Sequence, residues 1–381
     1  MSDPLTMSAR KRKHQTYPLS ETTKQMYASE KLMNFRWISK ILATYSSYTL
    51  TSADLASMEL DLELAEIGQF TELSYTTLPI EFIFKNLHLL SQTDFPLEGY
   101  DALRESVLVS DFAGKVAHLH GYVAFRPRTK QLIVSTSGTR TALQALYDLR
   151  TFLHRHPSKR GGVHQGFWKL YKGLRPFILD GLRKGFHEHE DVNELVITGH
   201  SMGGALSYLL CLDLLAKTDV IPNKPIKLVV FGAPRPGDEK LAKYWQELVD
   251  GYRKRNEKDS FFQEYCVKAY NDGVPALPPL SLGFRNFTRA PFYFVHGKLY
   301  HIPPSESEHA LFYAEDDGSS PPPVHPKGGH NYYMRSDQEK ALVRLDWLDQ
   351  TLAKTQDWEE PYRKKWLRAV AERTSRISFK S

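Results

Sequence analysis

Residues 195–215 constrain the fold of this chain more than any other stretch. They begin Leu-Val-Ile-Thr-Gly-His-Ser-Met-Gly-Gly and continue as an apolar run. A β-branched run ends at Gly199 and small residues then open a helical segment, so the chain changes from strand to helix within a few residues. Gly199, His200 and Gly203 surround Ser201 in the pattern Gly-x-Ser-x-Gly. The pattern predicts a tight, strained turn with Ser201 at the carboxyl end of the strand.

This turn suits a nucleophilic hydroxyl. A serine at its ordinary pKa is a poor nucleophile, so it needs a base within reach and N–H groups that hold the oxyanion. The N–H of Met202 lies at the predicted helix N-terminus, where negative charge is favoured. The short pattern also arises by chance, but chance does not supply the strand before it and the helix after it. Ser201 is therefore a candidate nucleophile, and the loop over residues 135–141 is the natural place for a second oxyanion donor.

Strands and helices alternate through the middle of the chain. Residues 115–125 and 131–135 predict a β-hairpin, and residues 167–185 predict a helix before the Ser201 strand. Further strands are predicted over residues 227–231 and 265–270, with a charged helix between them, and residues 292–302 resemble another hairpin. This alternation predicts an α/β fold with a mainly parallel central sheet covered by helices, and chemistry at the carboxyl edge of the strands.

In the α/β-hydrolase fold, the nucleophile is followed in the chain by an acid and then by a histidine. Asp272 follows a predicted strand and precedes a glycine, so its side chain is free to reach an imidazole. Asp238 is the rival acid, which we interpret as a helix cap. His330 follows two glycines and is the favoured base. His325 and His301 also lie on predicted loops and are the alternative candidates for the base.

The parts outside the predicted core are helical or polar. We expect a flexible basic tail over residues 1–28, a helical lead-in packed on the core over residues 29–110, a catalytic core over residues 111–336 and a helical extension over residues 337–381. The lead-in carries three predicted helices, over residues 30–45, 55–70 and 78–90. Thr51 or Ser52 is a candidate N-cap of the second. Binding of the lead-in to a membrane is the alternative to packing on the core.

Composition limits the function classes. The chain has 381 residues, 41% of them hydrophobic, and a formal net charge of +6. The positive charge is dispersed and no nucleic-acid module is recognised, so no nucleic-acid partner is expected. No apolar run is long enough for a membrane span, and no apolar segment follows the basic start, which predicts a cytoplasmic protein. Cys211 and Cys266 lie in apolar surroundings and fit free thiols in a reducing compartment.

No cofactor or metal is expected, and the oligomeric state is left open. His187-Glu-His-Glu190 has the spacing of metal ligands, but such a run before a strand is more typical of a solvated turn than of a zinc site. Residues 150–162, rich in basic residues, predict an exposed loop. Residues 141–149 predict a short apolar helix that either packs permanently or acts as a mobile lid. Its apolar residues are Ala142, Leu143, Ala145, Leu146 and Tyr147.

Over residues 115–335 the chain resembles the class 3 lipases, the fungal triacylglycerol lipase and feruloyl esterase family. The matching segments are Ser137-Gly-Thr139, His164-Gln-Gly-Phe167, Gly199-His-Ser-Met-Gly-Gly204, Phe231-Gly-Ala-Pro-Arg235, Asn271-Asp-Gly-Val-Pro275 and His330-Asn-Tyr-Tyr333. The resemblance implies that Ser201 is the nucleophile, Asp272 the acid and His330 the base. It also implies that Thr139 and Met202 form the oxyanion hole, and that residues 141–149 are an interfacial lid.

The chain departs from that family at three points. Ser137 stands where the family usually has arginine, and the candidate lid has no tryptophan. The secretion signal and the disulfides of secreted members are not expected in this chain. The expected function is a serine carboxylic-ester hydrolase that acts on acylglycerols or related lipid esters, with peripheral contact to a lipid surface. The alternatives are a hydrolase-fold module that binds a lipid or a partner without turnover, and an acyltransferase.

Overall fold

The computed structural model describes residues 42, 44–116, 119–138, 152–217, 220–270, 272–295, 297–315, 329–333 and 336–378. Within them we number strands and helices in chain order. The strands are β1 Tyr45–Leu50, β2 Val107–Ala113, β3 His120–Arg126, β4 Gln131–Thr136, β5 Leu153–Arg155, β6 Gly162–His164, β7 Glu194–His200, β8 Ile226–Phe231, β9 Gly237–Asp238, β10 Phe262–Ala269, β11 Phe284–Arg285, β12 Phe292–Val295, β13 Lys298–His301, β14 Leu311–Ala314, β15 Tyr332–Tyr333 and β16 Ser336–Asp337. The α-helices are α1 Met58–Leu73, α2 Ile80–Lys85, α3 Leu87–Leu90, α4 Gln165–Glu188, α5 Met202–Ala216, α6 Glu239–Arg255, α7 Gln338–Leu352 and α8 Glu359–Ser378.

An eight-stranded sheet runs through the centre in the order β13-β12-β10-β8-β7-β4-β3-β2. The strands from β4 to β12 in this order are parallel to their neighbours, and antiparallel pairs complete both edges. The register places His200 opposite Phe231, and Phe231 opposite Val267. The carboxyl ends of β7, β8 and β10 therefore meet at one edge. The predicted α/β fold and mainly parallel sheet are confirmed.

Two hydrophobic cores lie on opposite faces of this sheet because side chains alternate along each strand. In β8, Leu228 and Val230 belong to the first core, which contains residues of α4, α5 and α6. Val229 and Phe231 belong to the second core, which contains residues of α1, α2, α3, α7 and α8. Both faces of the central strands are thus covered, which explains their nearly continuous apolar sequences.

The lead-in differs from the prediction in its helix boundaries. Thr51, a predicted N-cap of the second helix, caps a 3-10 turn over Ser52–Asp54 instead. The helix itself, α1, is capped by Ser57, whose hydroxyl accepts from the N–H of Leu60 at 3.2 Å. The single helix predicted over residues 78–90 is interrupted at Asn86. Tyr45, predicted to end a helix, begins β1, because this serine-rich and β-prone segment pairs with β14. Most of the helix predicted over residues 30–45 lies outside the described residues.

The segment predicted as an exposed loop over residues 150–162 contains β5 and the start of β6, which belong to a second sheet. The loop assignment was therefore wrong there, whereas most of its described residues are exposed as predicted. β5 and β6 join β9 and β11 in the order β11-β9-β6-β5. Strands of two or three residues are too short for a visible alternation in the sequence. The hairpin predicted over residues 292–302 is confirmed as β12 and β13.

The segment from His187 to Glu190 spans the end of α4 and the turn before β7. The ring of His189 stacks on Phe125 at 4.1 Å, so this histidine packs against the sheet instead of lying in solvent. Among the described residues, no helix combines the length and the apolar character that crossing a bilayer requires.

Candidate active site

Ser201 lies between the end of β7 and the start of α5. Its backbone has φ +58° and ψ −129°, a conformation that non-glycine residues adopt only at a cost. The Ser201 N–H donates to the carbonyl of Phe231 at 2.8 Å, which ties the turn to the end of β8. Met202 is the first residue of α5, so its N–H belongs to the first turn, where N–H groups have no partner within the helix. The predicted strand, turn and helix are thus present.

The glycines of the turn are required by close backbone contacts. A Cβ on Gly199 would lie 2.4 Å from the carbonyl group of Gly203. A Cβ on Gly203 would lie 2.2 Å from the carbonyl oxygen of Thr136, at the end of β4. Both distances are shorter than any real contact, so neither position admits a side chain. Because of these close contacts, the Ser201 turn packs directly against the end of β4 and the loop that follows it.

Asp272 and His330 form the next part of the site. The Nδ1 of His330 lies 3.0 Å from the Asp272 Oδ2, and the exposed fractions of the two side chains are 1% and 0%. The other carboxylate oxygen accepts from the N–H of Val274 at 2.8 Å. The hydroxyl of Tyr333 donates to Oδ2 at 2.5 Å. These partners fix the carboxylate so that one oxygen faces the imidazole.

The hydrogen bonds assign the His330 tautomer. An ionised carboxylate only accepts, so His330 donates to Asp272 from Nδ1, and its lone pair lies on Nε2. Burial and the neighbouring Asp272 raise the pKa of Tyr333 well above its ordinary value, which keeps Tyr333 a donor. The arrangement is that of a general base whose imidazole is oriented by a carboxylate.

Gly232 lies between the Ser201 turn and the pair formed by Asp272 and His330. It follows Phe231, whose carbonyl holds Ser201, and its φ is +57°. A Cβ at Gly232 would lie 2.8 Å from the Asp272 Oδ2 and 3.2 Å from the His330 Nδ1. The three residues predicted from the order of the sequence therefore lie around the carboxyl ends of β7, β8 and β10.

His200 and Tyr75 form a buried pair that the sequence did not reveal. The His200 Nε2 lies 2.6 Å from the carbonyl oxygen of His330, so Nε2 is the donor, and Nδ1 accepts from the Tyr75 hydroxyl at 2.9 Å. The rings of His200 and His330 are 4.5 Å apart. Burial and the nearby His330 lower the pKa of His200 well below its ordinary value. His200 is therefore a neutral residue that links Tyr75 to the backbone of the base.

Ser137 anchors the loop in which an oxyanion donor is expected. Its N–H and its hydroxyl both donate to the carbonyl of His120, at 2.9 and 2.8 Å. The next residue, Gly138, hydrogen-bonds through its backbone to the hydroxyl of Tyr75, and a Cβ there would lie 3.2 Å from the Cβ of Ser201. Ser137 thus fixes this loop without the arginine typical of the family.

Arg235 is a buried cation that holds the acid loop. Its guanidinium donates to the carbonyl of Ala276, and to that of Pro278 at 2.9 Å. Its Nε lies 2.9 Å from the Glu308 carboxylate, which compensates the buried charge. This network fixes the chain just after Asp272.

The other residues that the sequence suggested for the site have different positions or lie outside the described residues. Asp238 accepts from the N–H of Leu241 at 2.8 Å as the N-cap of α6, as predicted. His301 ends β13, with its ring 4.6 Å from that of Phe292. His325 and the second oxyanion candidate, Thr139, lie outside the described residues. The lid candidates also lie there and stay predictions: Ala142, Leu143, Ala145, Leu146 and Tyr147.

Comparison with known proteins finds lipases that are similar to this chain. Residues 133–282 match the family model described as Lipase (class 3). A secreted mono- and diacylglycerol lipase A of Penicillium cyclopium is 30% identical over 166 residues, which are 43% of this chain and 48% of that protein. The chain therefore spans about half the length of this relative. Lipase A of Sodiomyces alcalophilus is 25% identical over 294 residues, which are 67% of this chain and 68% of the relative.

Solved structures share the fold. Lipase II from Rhizopus niveus superposes with a TM-score of 0.56 and 18% identity, over 76% of this chain and 99% of that chain. A triacylglycerol lipase whose catalytic centre is described as a serine protease triad superposes with a TM-score of 0.56 and 18% identity, over 75% and 98% of the two chains. These likenesses confirm the predicted α/β-hydrolase fold. Together with the match over residues 133–282, they show that this chain is similar to the class 3 lipases.

Proposed function

We propose that the chain is a serine carboxylic-ester hydrolase that acts on acylglycerols or related lipid esters. The observation that carries the proposal is the buried hydrogen bond between Asp272 and His330, at the same sheet edge as the strained Ser201 turn. A histidine with a purely structural role needs neither a carboxylate partner nor a nearby serine turn of this kind. The combination is typical of a catalytic base. The names of the relatives, among them mono- and diacylglycerol lipase, support a lipid ester as the substrate class.

In the proposed reaction, the Oγ of Ser201 attacks the ester carbonyl while the Nε2 of His330 takes its proton. Asp272 stabilises the imidazolium that forms. The N–H groups of Met202 and Thr139 are the proposed donors to the tetrahedral oxyanion. His330 then returns the proton to the departing alcohol, which leaves Ser201 acylated. A water molecule, deprotonated by His330, releases the carboxylic acid and restores the serine.

The neutral His200 supports this sequence of steps. When His330 becomes an imidazolium, a second positive charge at the 4.5 Å ring separation would oppose it. Burial of the ring and the nearby His330 lower the pKa of His200 and keep it uncharged, although the bond from its Nε2 to the His330 carbonyl acts in the opposite direction. The charge that develops on His330 is therefore stabilised by Asp272 and meets no opposing charge on His200.

The test is covalent labelling with a fluorophosphonate probe. We expect the wild-type protein to be labelled and Ser201→Ala to be unlabelled, because the probe needs an activated serine. Ser207→Ala is the matched control, since Ser207 lies on α5 and its hydroxyl donates to the carbonyl of Gly203 at 2.9 Å. A folded wild-type protein that resists the probe would favour a binding module without turnover. Labelling that persists in Ser201→Ala would remove this serine as the nucleophile.

A cytoplasmic location is part of the proposal. It is supported by the free, buried thiols of Cys211 and Cys266, which suit a reducing compartment. The relatives from Penicillium are named as secreted, which points the other way. Fractionation of expressing cells decides between the two, and recovery of the protein mainly from the medium would contradict the cytoplasmic location.

A further inference from the structure

The last two helices enclose a groove that carries positive charge. The groove between α7 and α8 has a volume of about 650 Å³, a size suited to a small ligand group. It lies outside the residues that match the class 3 lipase family. Among the described residues that line it there is no carboxylate. The residues that determine its character are Trp347, Gln350, Lys354, Lys364, Lys365 and Arg368.

Lys365 lines this groove and contacts two residues of α7. Its Nζ donates to the Gln350 Oε1 at 2.9 Å and lies 5.2 Å from the centroid of the Trp347 ring. Partial burial and the nearby Lys354 lower the pKa of Lys365. The two ammonium groups thus repel each other across the groove, and an anion bound between them would relieve that repulsion.

The positive charge of the groove is largely uncompensated. Lys364 pairs with Glu360 at 3.5 Å on the exposed surface. In the part of the chain that the structure describes, no carboxylate lies within 4.0 Å of Lys354 or Arg368. A fixed ammonium, a second one beside it and a guanidinium together match the charge and hydrogen-bonding needs of a phosphate group.

Exposed apolar side chains flank these cations on α8. Leu367 is 55% exposed and Val370 is 40% exposed. Leu367 lies three residues after Lys364, and Val370 three residues after Leu367, so a basic and two apolar side chains follow one another along the same side of α8. A phosphate ion in solution would gain nothing from exposed leucine and valine. A lipid surface would bury both.

We propose that the α7–α8 groove binds the phosphate headgroup of an anionic lipid and holds this face of the protein on a negatively charged membrane. The cations attract the surface, Lys365 and its neighbours contact the phosphate, and Leu367 and Val370 enter the interface. This binding is independent of the ester chemistry proposed above, so Ser201→Ala is expected to retain it.

The test is co-sedimentation with vesicles of phosphatidylcholine, with or without roughly 30 mol% phosphatidylserine. The groove variant combines Lys354→Gln, Lys365→Gln and Arg368→Gln. We expect wild-type protein to bind the anionic vesicles preferentially, and the groove variant to bind them at least about tenfold more weakly, because each cation near the surface contributes to affinity. Unchanged melting temperature shows that the variant is folded.

A charge-matched control distinguishes binding at the groove from a general attraction that depends only on the net charge of the protein. Lys240→Gln, Lys243→Gln and Lys254→Gln remove the same number of charges from exposed positions on α6. We expect this variant to bind almost as well as the wild type. Equal losses in the two variants would overturn the site, as would equal wild-type binding to neutral and anionic vesicles.

A second variant tests the lipid assignment itself. Leu367→Ser with Val370→Ser keeps every cation but removes the apolar flank, and we expect weaker binding to the anionic vesicles. Unchanged binding, or displacement of the protein by inorganic phosphate at constant ionic strength, would overturn the lipid assignment in favour of a soluble phosphate. Tighter binding to duplex DNA than to the anionic vesicles at the same salt would overturn it in favour of a nucleic acid.

Discussion

His200 and His330 lie ring against ring, yet their hydrogen bonds give them opposite properties. His330 donates from Nδ1 to Asp272 and keeps its Nε2 lone pair, as a base must. His200 donates from Nε2 to a backbone carbonyl and accepts a hydrogen bond at Nδ1 from Tyr75. Two imidazoles in the same cavity are thus distinguished by the partners that each nitrogen meets.

We predict that Asp272→Asn and His330→Ala each lower kcat by about a thousandfold or more, because members of a triad act as a unit. Hydrolysis of a soluble p-nitrophenyl ester measures the effect, and circular dichroism checks the fold. His301→Ala is the matched control, since His301 lies at the end of β13 and should keep near wild-type activity. A large loss in the control with little loss in His330→Ala would contradict the choice of base.

At the residue scale, chain order and turn chemistry led to Ser201, Asp272 and His330, and the structure brings these three to one sheet edge. Tyr75 could not be found in this way, because it stands alone in a loop and meets His200 only through the tertiary fold. The assignment of Asp238 as a cap was confirmed because a cap depends on local sequence. Long-range hydrogen bonds leave no such local signal.

At the element scale, the turn after β8 is the element that the site tolerates changing least. Gly232 has a positive φ and faces Asp272, Tyr333 and His330. The sequence predicted β8 from its apolar run. It did not show that the turn after it supports the acid and base, because that role depends on β10 lying beside it.

We predict that Gly232→Ala lowers the rate of fluorophosphonate labelling at least about tenfold, since the new Cβ would displace the acid or the base. A positive φ in a non-glycine residue also costs about 1 to 3 kcal/mol of stability. Gly251→Ala is the control, because Gly251 lies in α6 and a Cβ added there would meet nothing within 4 Å, so this change should stabilise the protein slightly. Normal labelling of Gly232→Ala would show that the turn can relax.

At the scale of the whole molecule, the second core is shared by segments from both ends of the described chain. It combines residues of α1 to α3, of the central strands, and of α7 and α8. The division into lead-in, catalytic core and helical extension stays a prediction, and this core contains residues of all three. Sequence periodicity identified these helices but not the surface that each one covers, since every amphipathic helix offers a similar apolar face.

We predict that Leu348→Ala lowers the free energy of unfolding by about 2 to 5 kcal/mol, because Leu348 is fully buried in the second core and its removal leaves a cavity. Urea unfolding followed by circular dichroism measures the change. Leu367→Ala, at an exposed position of α8, should stay within about 0.5 kcal/mol of wild type. The urea midpoint of probe labelling should fall together with that of circular dichroism in Leu348→Ala. A labelling midpoint that stays unchanged would mean that α7 and α8 unfold independently of the active site.

The alternation of side chains between the two cores limits where this chain can change in length. In β7, Leu195 and Ile197 belong to the first core and Val196 to the second, and β8 follows the same rule. Inserting one residue within such a strand would send every following side chain to the opposite face. It would also move the Ser201 turn relative to Gly232. Insertions and deletions are therefore expected in the connecting segments and not within the central strands.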